Sequence, residues 1–480
     1  MFERESAPKV LTEEQIETIH EQAMRILEEI GTDVLHERGR ELLEAAGQSV
    51  DGERVRWDRE FVAEMVAKAP ASFDVRARNP ERSITVGGGT PILTNVGGPP
   101  FANDLDEGRR SGRLQDHDTL VKLTQATDLL SCVQSGAVEA VDLEVATRHM
   151  DMDYSVIRWS DKPYTCYGTS GPKARDAIEL ASIVHGGRDA IEQIPAIMGV
   201  VNPNSPLIWD FRMTDALLIW AGANQPIIVT PFLLAGGTAP VSVPGALAIQ
   251  VAEALSGVAL AQLVRPGVPC LYGSFFTALD MRTGSPAFGT PEYVKGAIAS
   301  GQMARRYRLP WRSSNATASP VVDAQAAYES EMAVWGAVMG GVNLLYQGAG
   351  WLEGGLTASY EKLIIDAEIL QMMSEVLQPV AVDEASLGLD AIAEVGPGGH
   401  FFGSAHTLER FETAFYRPIV SDWRNYETWL DDGAQTATQR ANRIWKQLLA
   451  EFEAPPIDPA AADGIAAFVA RRKREITGSA

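Results

Sequence analysis

The chain has 480 residues, 45% of them hydrophobic and 22% charged, with a formal net charge of −22. That length supports a large buried core, and so acidic a field argues against nucleic acid or an anionic membrane surface as partner. The three cysteines, Cys132, Cys166 and Cys270, are too far apart for a CxxC motif. They read as buried free thiols of a reducing cytoplasm, with no bound metal expected.

Residues 1–85 read as a helical N-terminal cap. Met1–Val10 is charged and lacks the apolar run of a signal peptide. Thr12 and Gln15 have the spacing of a capping box. Ile16, Ile19, Ala23, Ile26, Leu27 and Ile30 then recur at helical spacing up to Gly31. His36–Ala46 and Trp57–Ala69 are two further helical stretches. The uncharged stretches Ala216–Ala252 and Ala333–Leu352 are long enough to cross a membrane. Both are interrupted by Pro, Gly, Asn or Gln, and read as soluble helix, turn and strand.

From residue 90 short apolar runs alternate with helix-period segments. The runs are Pro91–Val96, Leu130–Val138, Pro163–Thr169, Pro195–Val201, Pro226–Phe232, Pro269–Phe275, Pro310–Asn315 and Val342–Gln347. Six of them open on an X-Pro step, which biases the preceding residue toward extended backbone. Helices are expected to begin near Asp118, Glu144, Pro172, Thr214, Gly245, Pro291, Asp323 and Tyr360. Eight such units predict an α/β fold, a (β/α)8 TIM-type barrel over residues 86–377, a fold that takes roughly 250 residues. No strand is followed by GxGxxG, which disfavours an open dinucleotide-binding sheet. Residues 378–480 form a C-terminal extension expected to pack on the barrel or on an oligomer partner.

Barrel chemistry sits at the C-terminal ends of the strands. Those ends hold no Lys, no His and no carboxylate pair, which excludes Schiff-base, metal-hydrolase and glycosidase sites. They hold aromatic and neutral polar groups instead. Tyr167, Phe232, Tyr272, Phe275, Tyr346 and Trp351 could face a desolvated quaternary ammonium, whose charge a ring face attracts and no hydrogen bond reaches. Arg312 is the one cation, placed to pair with a substrate carboxylate or with Glu329 or Glu353. Asn315 and Gln347 add neutral polar contacts. His400 follows a glycine cluster that lets backbone approach a ligand.

Several segments resemble the trimethylamine methyltransferase family: Ile26–Gly31, Pro240–Ala248, Asp323–Glu329, Gly348–Leu356, and Val395–Phe402 with His406-Thr407. The resemblance runs over essentially the whole chain and implies a (β/α)8 barrel. Founding members carry pyrrolysine, expected near Arg312–Ser319, whereas this sequence holds only standard residues. Members without pyrrolysine imply a methyltransferase acting on a quaternary amine such as glycine betaine. The methyl group is then passed to Co(I) of a separate corrinoid protein, with tetrahydrofolate the alternative acceptor. A homo-oligomer is also expected.

Overall fold

The computed structural model describes residues 8–166 and 168–478. Its centre is a ring of eight parallel strands. These are β1 (Ile92–Asn95), β2 (Val133–Gln134), β3 (Tyr164–Thr165), β4 (Ile197–Val201), β5 (Ile227–Val229), β6 (Cys270–Gly273), β7 (Trp311–Ser314) and β8 (Leu344–Ala349). Ladders join β2 through β8 in chain order, and β8 pairs with β1. The ring closes between β1 and β2 through a single parallel bridge, Thr94 to Cys132. Side chains complete that seam: Gln134 donates its backbone N–H to Asn95 Oδ1 at 2.8 Å and its Nε2 to Asn95 O at 2.6 Å.

All eight expected runs supply a barrel strand; seven of the strands are shorter than the run, and β8 is shifted two residues on. Five of the six prolines stand directly before a strand, and Pro195 stands two residues before one. Each lacks an N–H, so it sits where the ladder needs only a carbonyl. The carbonyls of Pro163, Pro226, Pro269 and Pro310 accept from Val133, Gly199, Ile227 and Tyr272.

The surrounding helices are α1 (Leu114–Ala126), α2 (Arg148–Trp159), α3 (Gly171–His185), α4 (Phe211–Gly222), α5 (Val243–Val264), α6 (Pro291–Arg306), α7 (Ala324–Met339) and α8 (Tyr360–Val376). α5 is long and apolar enough to cross a membrane, but 83% of its apolar window is buried inside this chain. It is hydrophobic all round because other helices of the same chain cover it.

The N-terminal segment is less purely helical than its periodicity suggests. Thr12 and Gln15 do form the capping box that opens the helix Glu13–Arg25. Between its helices, however, strands Thr32–Val34, Ser49–Asp51 and Arg54–Arg56 join Ile208–Trp209 in a small sheet. A hairpin, Phe73–Val75 with Ile84–Val86, plugs the N-terminal end of the barrel. Its Val75, Ile84 and Val86 pack with Ile92, Met198, Ile228, Leu271 and Leu344 from inside the ring. In the C-terminal extension, α9 (Ala437–Ala450) lies along α8, and α10 (Pro459–Thr477) lies along α3.

One outer helix reaches the mouth directly. On α8, Lys362 and Asp366 form a fully buried ion pair, and Asp366 Oδ2 accepts the N–H of Gly350 at 2.8 Å. That bond anchors the turn carrying Trp351. Lys362→Ala would leave Asp366 charged and uncompensated, with an expected loss of about 3–5 kcal/mol. Chemical denaturation measures it; a loss comparable to a surface substitution would show that the pair contributes little.

Candidate active site

The C-terminal end of the ring opens into a cavity of about 310 Å³. Its floor and wall come from the inward-pointing strand residues Gln134, Thr165, Val200, Arg312 and Tyr346, with Thr230 just past the end of β5. Successive strand side chains alternate between faces. Arg312 therefore points in, while its neighbours Trp311 and Ser313 point toward the helices.

The rings come from strands that continue beyond the barrel. After a break at Thr230-Pro231, Phe232–Ala235 pairs in parallel with Phe275–Leu279, and Phe232 stands opposite Phe275. Their ring centroids are 4.8 Å apart. Phe275 also stacks on Trp351 at 5.6 Å. Trp351 opens a second small sheet, in which Thr357–Ser359 pairs with Phe101–Asn103.

Arg312 is the only fully charged side chain lining this cavity among the described residues. Its guanidinium carbon lies 4.8 Å from the Tyr346 ring centroid and 5.4 Å from that of Phe275. Nη1 donates to Ser274 O at 3.1 Å and Nη2 to Gln347 Oε1 at 2.7 Å. Neither acid expected as a partner reaches it. Glu329 accepts from Ala318 N and Ser319 N, and Glu353 pairs with Arg109 at 2.7 Å. Burial lowers the Arg312 guanidinium to about 10, so it remains cationic at neutral pH. Its Nε is buried without a partner, as are Thr230 Oγ1 and Trp351 Nε1.

Gln347 owes its position to an irregular backbone. The register of β8 against β1 shifts between Leu345 and Ala349, and Gln347 sits at φ 54°. A left-handed non-glycine residue is costly and persists where surrounding bonds hold it. Here Gln347 N donates to Thr94 Oγ1, while Oε1 accepts from Arg312 and from Ser314 Oγ. Simple alternation would turn Gln347 outward after the inward Tyr346; the shifted register brings both into the mouth.

Six of the residues expected from sequence therefore meet here: Phe232, Phe275, Arg312, Tyr346, Gln347 and Trp351. Three do not. Tyr272 is outward on β6 and fully buried, and its hydroxyl accepts from Gln250 of α5 at 2.9 Å. Asn315 lies behind the wall, donating to Gly348 O at 2.8 Å. His400 is exposed on the C-terminal extension beside Phe402, outside the cavity. Tyr167 lies outside the described residues. Thr169, Asn202 and Thr230, which stand at strand ends in the sequence, also line the cavity, as do Gln134 and Thr165, which sequence reasoning missed. Gln134 was hidden because the expected run Leu130–Val138 continues past it, whereas β2 ends at Gln134.

The family model for trimethylamine methyltransferase matches residues 2–477. A glycine betaine methyltransferase of Desulfitobacterium hafniense (strain Y51) is 39% identical over 97% of this chain and 98% of that protein. The chain belongs to the trimethylamine methyltransferase family. It is accordingly a methyltransferase. The family's trimethylamine methyltransferase MttB of D. hafniense (strain DSM 10664 / DCB-2) is 28% identical over 84% of this chain and 81% of that one. The crystal structure of the Methanosarcina barkeri monomethylamine methyltransferase aligns at TM-score 0.55, covering 95% of this chain and 90% of that one. At 10% identity that likeness concerns the fold, and it agrees with the barrel described above.

Besides Arg312, the titratable groups lining this family member's cavity, among the described residues, are Cys166 and Tyr346. Burial drives Cys166 well up and pushes Tyr346 up to about 12. None of the three changes charge near neutrality. The pH profile of kcat/KM is therefore expected to be flat across roughly pH 6.5–8.5, whereas a bell in that range would reveal a general acid or base.

At the rim, a Cβ on Gly97 would fall 1.9 Å from Gln134 Oε1. Gly97→Ala should displace Gln134 into the cavity and raise KM severalfold, with the fold retained by circular dichroism. An unchanged KM would show that Gln134 does not bound the substrate.

Proposed function

We propose that this methyltransferase removes a methyl group from a betaine, a quaternary ammonium carrying its own carboxylate, and passes it to a corrinoid carried by a separate protein. The observation that carries the substrate class is the charge of the cavity. A lone Arg312 cation is present, and no Asp or Glu lines the cavity among the described residues. A simple amine cation entering would meet like charge in a desolvated space. A zwitterion brings the missing anion with it.

The carboxylate would pair with the guanidinium edge that Ser274 and Gln347 leave free. The ammonium would lie among Phe232, Phe275 and Trp351, whose faces attract a cation that cannot be hydrogen-bonded. One N-methyl then points toward the rim. Transfer breaks one C–N bond, and the nitrogen keeps the electron pair and leaves as a neutral tertiary amine. No proton has to be supplied, in keeping with a wall that lacks an acid. The contribution of these residues is orientation and exclusion of water.

A corrinoid in its Co(I) state supplies a nucleophile for methyl groups. Four glycines, Gly97, Gly98, Gly136 and Gly355, are among the lining residues and leave room beside the cavity for a broad planar acceptor. At Gly98 the space where a Cβ would sit is empty to 4 Å.

Purified protein with cob(I)alamin and glycine betaine is expected to give methylation and dimethylglycine, with little turnover of trimethylamine. Methylation of tetrahydrofolate in place of the corrinoid would replace the acceptor; turnover of trimethylamine alone would overturn the substrate reading. Arg312→Ala should weaken betaine binding by roughly 2–5 kcal/mol, on the order of 30-fold or more, and spare an uncharged quaternary analogue. Equal losses for both ligands would remove Arg312 as the anchor.

A further inference from the structure

A second cavity, of about 610 Å³, lies beside the hairpin that plugs the N-terminal end of the barrel. It is lined by the hairpin strands, the turn between them, the last residue of α3 and the segment leading into β4. Since α3 ends and β4 begins at this face, the methyl-transfer mouth is at the other end of the ring. The volume is that of a small-molecule site, which takes roughly 300–1,000 Å³.

Three basic side chains line this space: Arg76, Arg78 and His185. All are half-buried. Arg78 is oriented by carbonyls, donating to Pro456 O, to Ile157 O at 3.2 Å and to Ser160 O at 2.8 Å. Its Nε is buried without a partner. Carbonyl dipoles fix a guanidinium without cancelling its charge. Arg76 is held through its main chain, whose N–H donates to Pro195 O at 2.7 Å. Among the described residues, neither the Arg76 guanidinium nor the His185 imidazole makes a hydrogen bond or ion pair. Burial, and then the charges of Arg76 and Arg78, push His185 down to about 4. The one carboxylate lining the cavity, among the described residues, is the exposed Asp74, which accepts from Thr85 Oγ1 at 2.6 Å. Asp161, whose charge also acts on Arg78, is engaged by Arg82 at 3.4 Å and Gln125 at 2.8 Å.

We propose that this cavity binds a phosphate group, free or carried by a small organic molecule. Two guanidinium groups offer several N–H donors to phosphate oxygens, and the imidazole adds one from another element. Ser83 Oγ accepts from Ala77 N at 3.1 Å, which leaves its own proton for an oxyanion. A carboxylate presents two oxygens in one plane, whereas a tetrahedral group meets donors arriving from the hairpin and from α3 together. Pro80, Ile84 and Ile194 supply an apolar surface for an organic portion.

The frame is already formed. Asn79 N donates to Asp161 O at 3.1 Å, and Asn79 Oδ1 accepts from Glu81 N at 3.2 Å, so little has to be ordered on binding. Through Arg78 and Pro456 the site also reaches the C-terminal extension. Occupancy therefore ties together the plug, α3 and the extension, and acts on stability without competing with a substrate at the mouth. The inference does not rest on the betaine reading.

Isothermal titration of the full chain in phosphate-free buffer at neutral pH would use inorganic phosphate, glycerol phosphate and acetate at matched ionic strength. A phosphate is expected to bind once per chain and to raise the unfolding temperature, with acetate at least tenfold weaker. Tighter binding of the ester identifies an organic phosphate as the occupant, and equal affinities the free ion. Arg76→Gln, which removes no side-chain bond of the fold, should weaken phosphate at least tenfold and retain betaine turnover. His185 supplies a local signature. Its ring resonances, identified by their loss in His185→Gln, should shift saturably with phosphate toward the imidazolium position, because an adjacent anion favours the charged ring. No saturable binding of either phosphate, acetate as tight as phosphate, binding indifferent to Arg76→Gln, or His185 resonances unmoved while phosphate binds would each overturn the proposal.

Discussion

A guanidinium shut away from water without a carboxylate beside it constrains the whole mouth of this barrel. Burying an uncompensated charge is expensive, and the cost has to be offset by dipoles and polarisable surface. Around Arg312 the offset comes from the Ser274 carbonyl, the Gln347 amide oxygen and the faces of Tyr346 and Phe275. None of these carries a full negative charge. The cation is thus tolerated without being neutralised.

The rest of the architecture can be followed outward from that constraint. Gln347 must reach Arg312, so β8 carries an irregular register and a left-handed residue. Phe275 must cover the guanidinium, so β6 gives way to a second strand that pairs above the barrel. Trp351 must back Phe275, and its turn is tied by Gly350 to Asp366 and so to Lys362 on α8. A charge pair on the outer helix layer thereby sets the position of a ring at the mouth.

The barrel was legible in the sequence because its signals are local: apolar runs, helix-period segments between them, and prolines at the ladder's lower edge. The site was legible in part for the same reason. Strand ends can be read off, so Phe232, Phe275, Arg312, Tyr346 and Trp351 were in view. Facing was harder. Tyr272 and Arg312 both lie on barrel strands, and only the phase of alternation sends one to α5 and the other inward. The reach of Gln347 to Arg312 depends on a register shift between two strands far apart in the chain, which leaves no local trace. The N-terminal strands escaped for a related reason, since Thr32–Val34 pairs partly with Ile208–Trp209, which lies far along the chain. His400 was misplaced because a glycine-rich turn reports backbone freedom, not location.

The seam between β1 and β2 has its own consequence. Every other junction of the ring is a ladder of main-chain bonds, indifferent to which side chains the strands carry. This one is held largely by Asn95, Gln134 and Ser131, whose amides and hydroxyl stand in for peptide groups. Ring closure and pocket lining are thus written in the same residues there, since Gln134 serves both. Evolutionary drift that remodelled this wall for a bulkier ligand would loosen the hoop at its clasp, so new specificities are more cheaply explored on the opposite arc, where loops beyond β5 and β6 carry the rings.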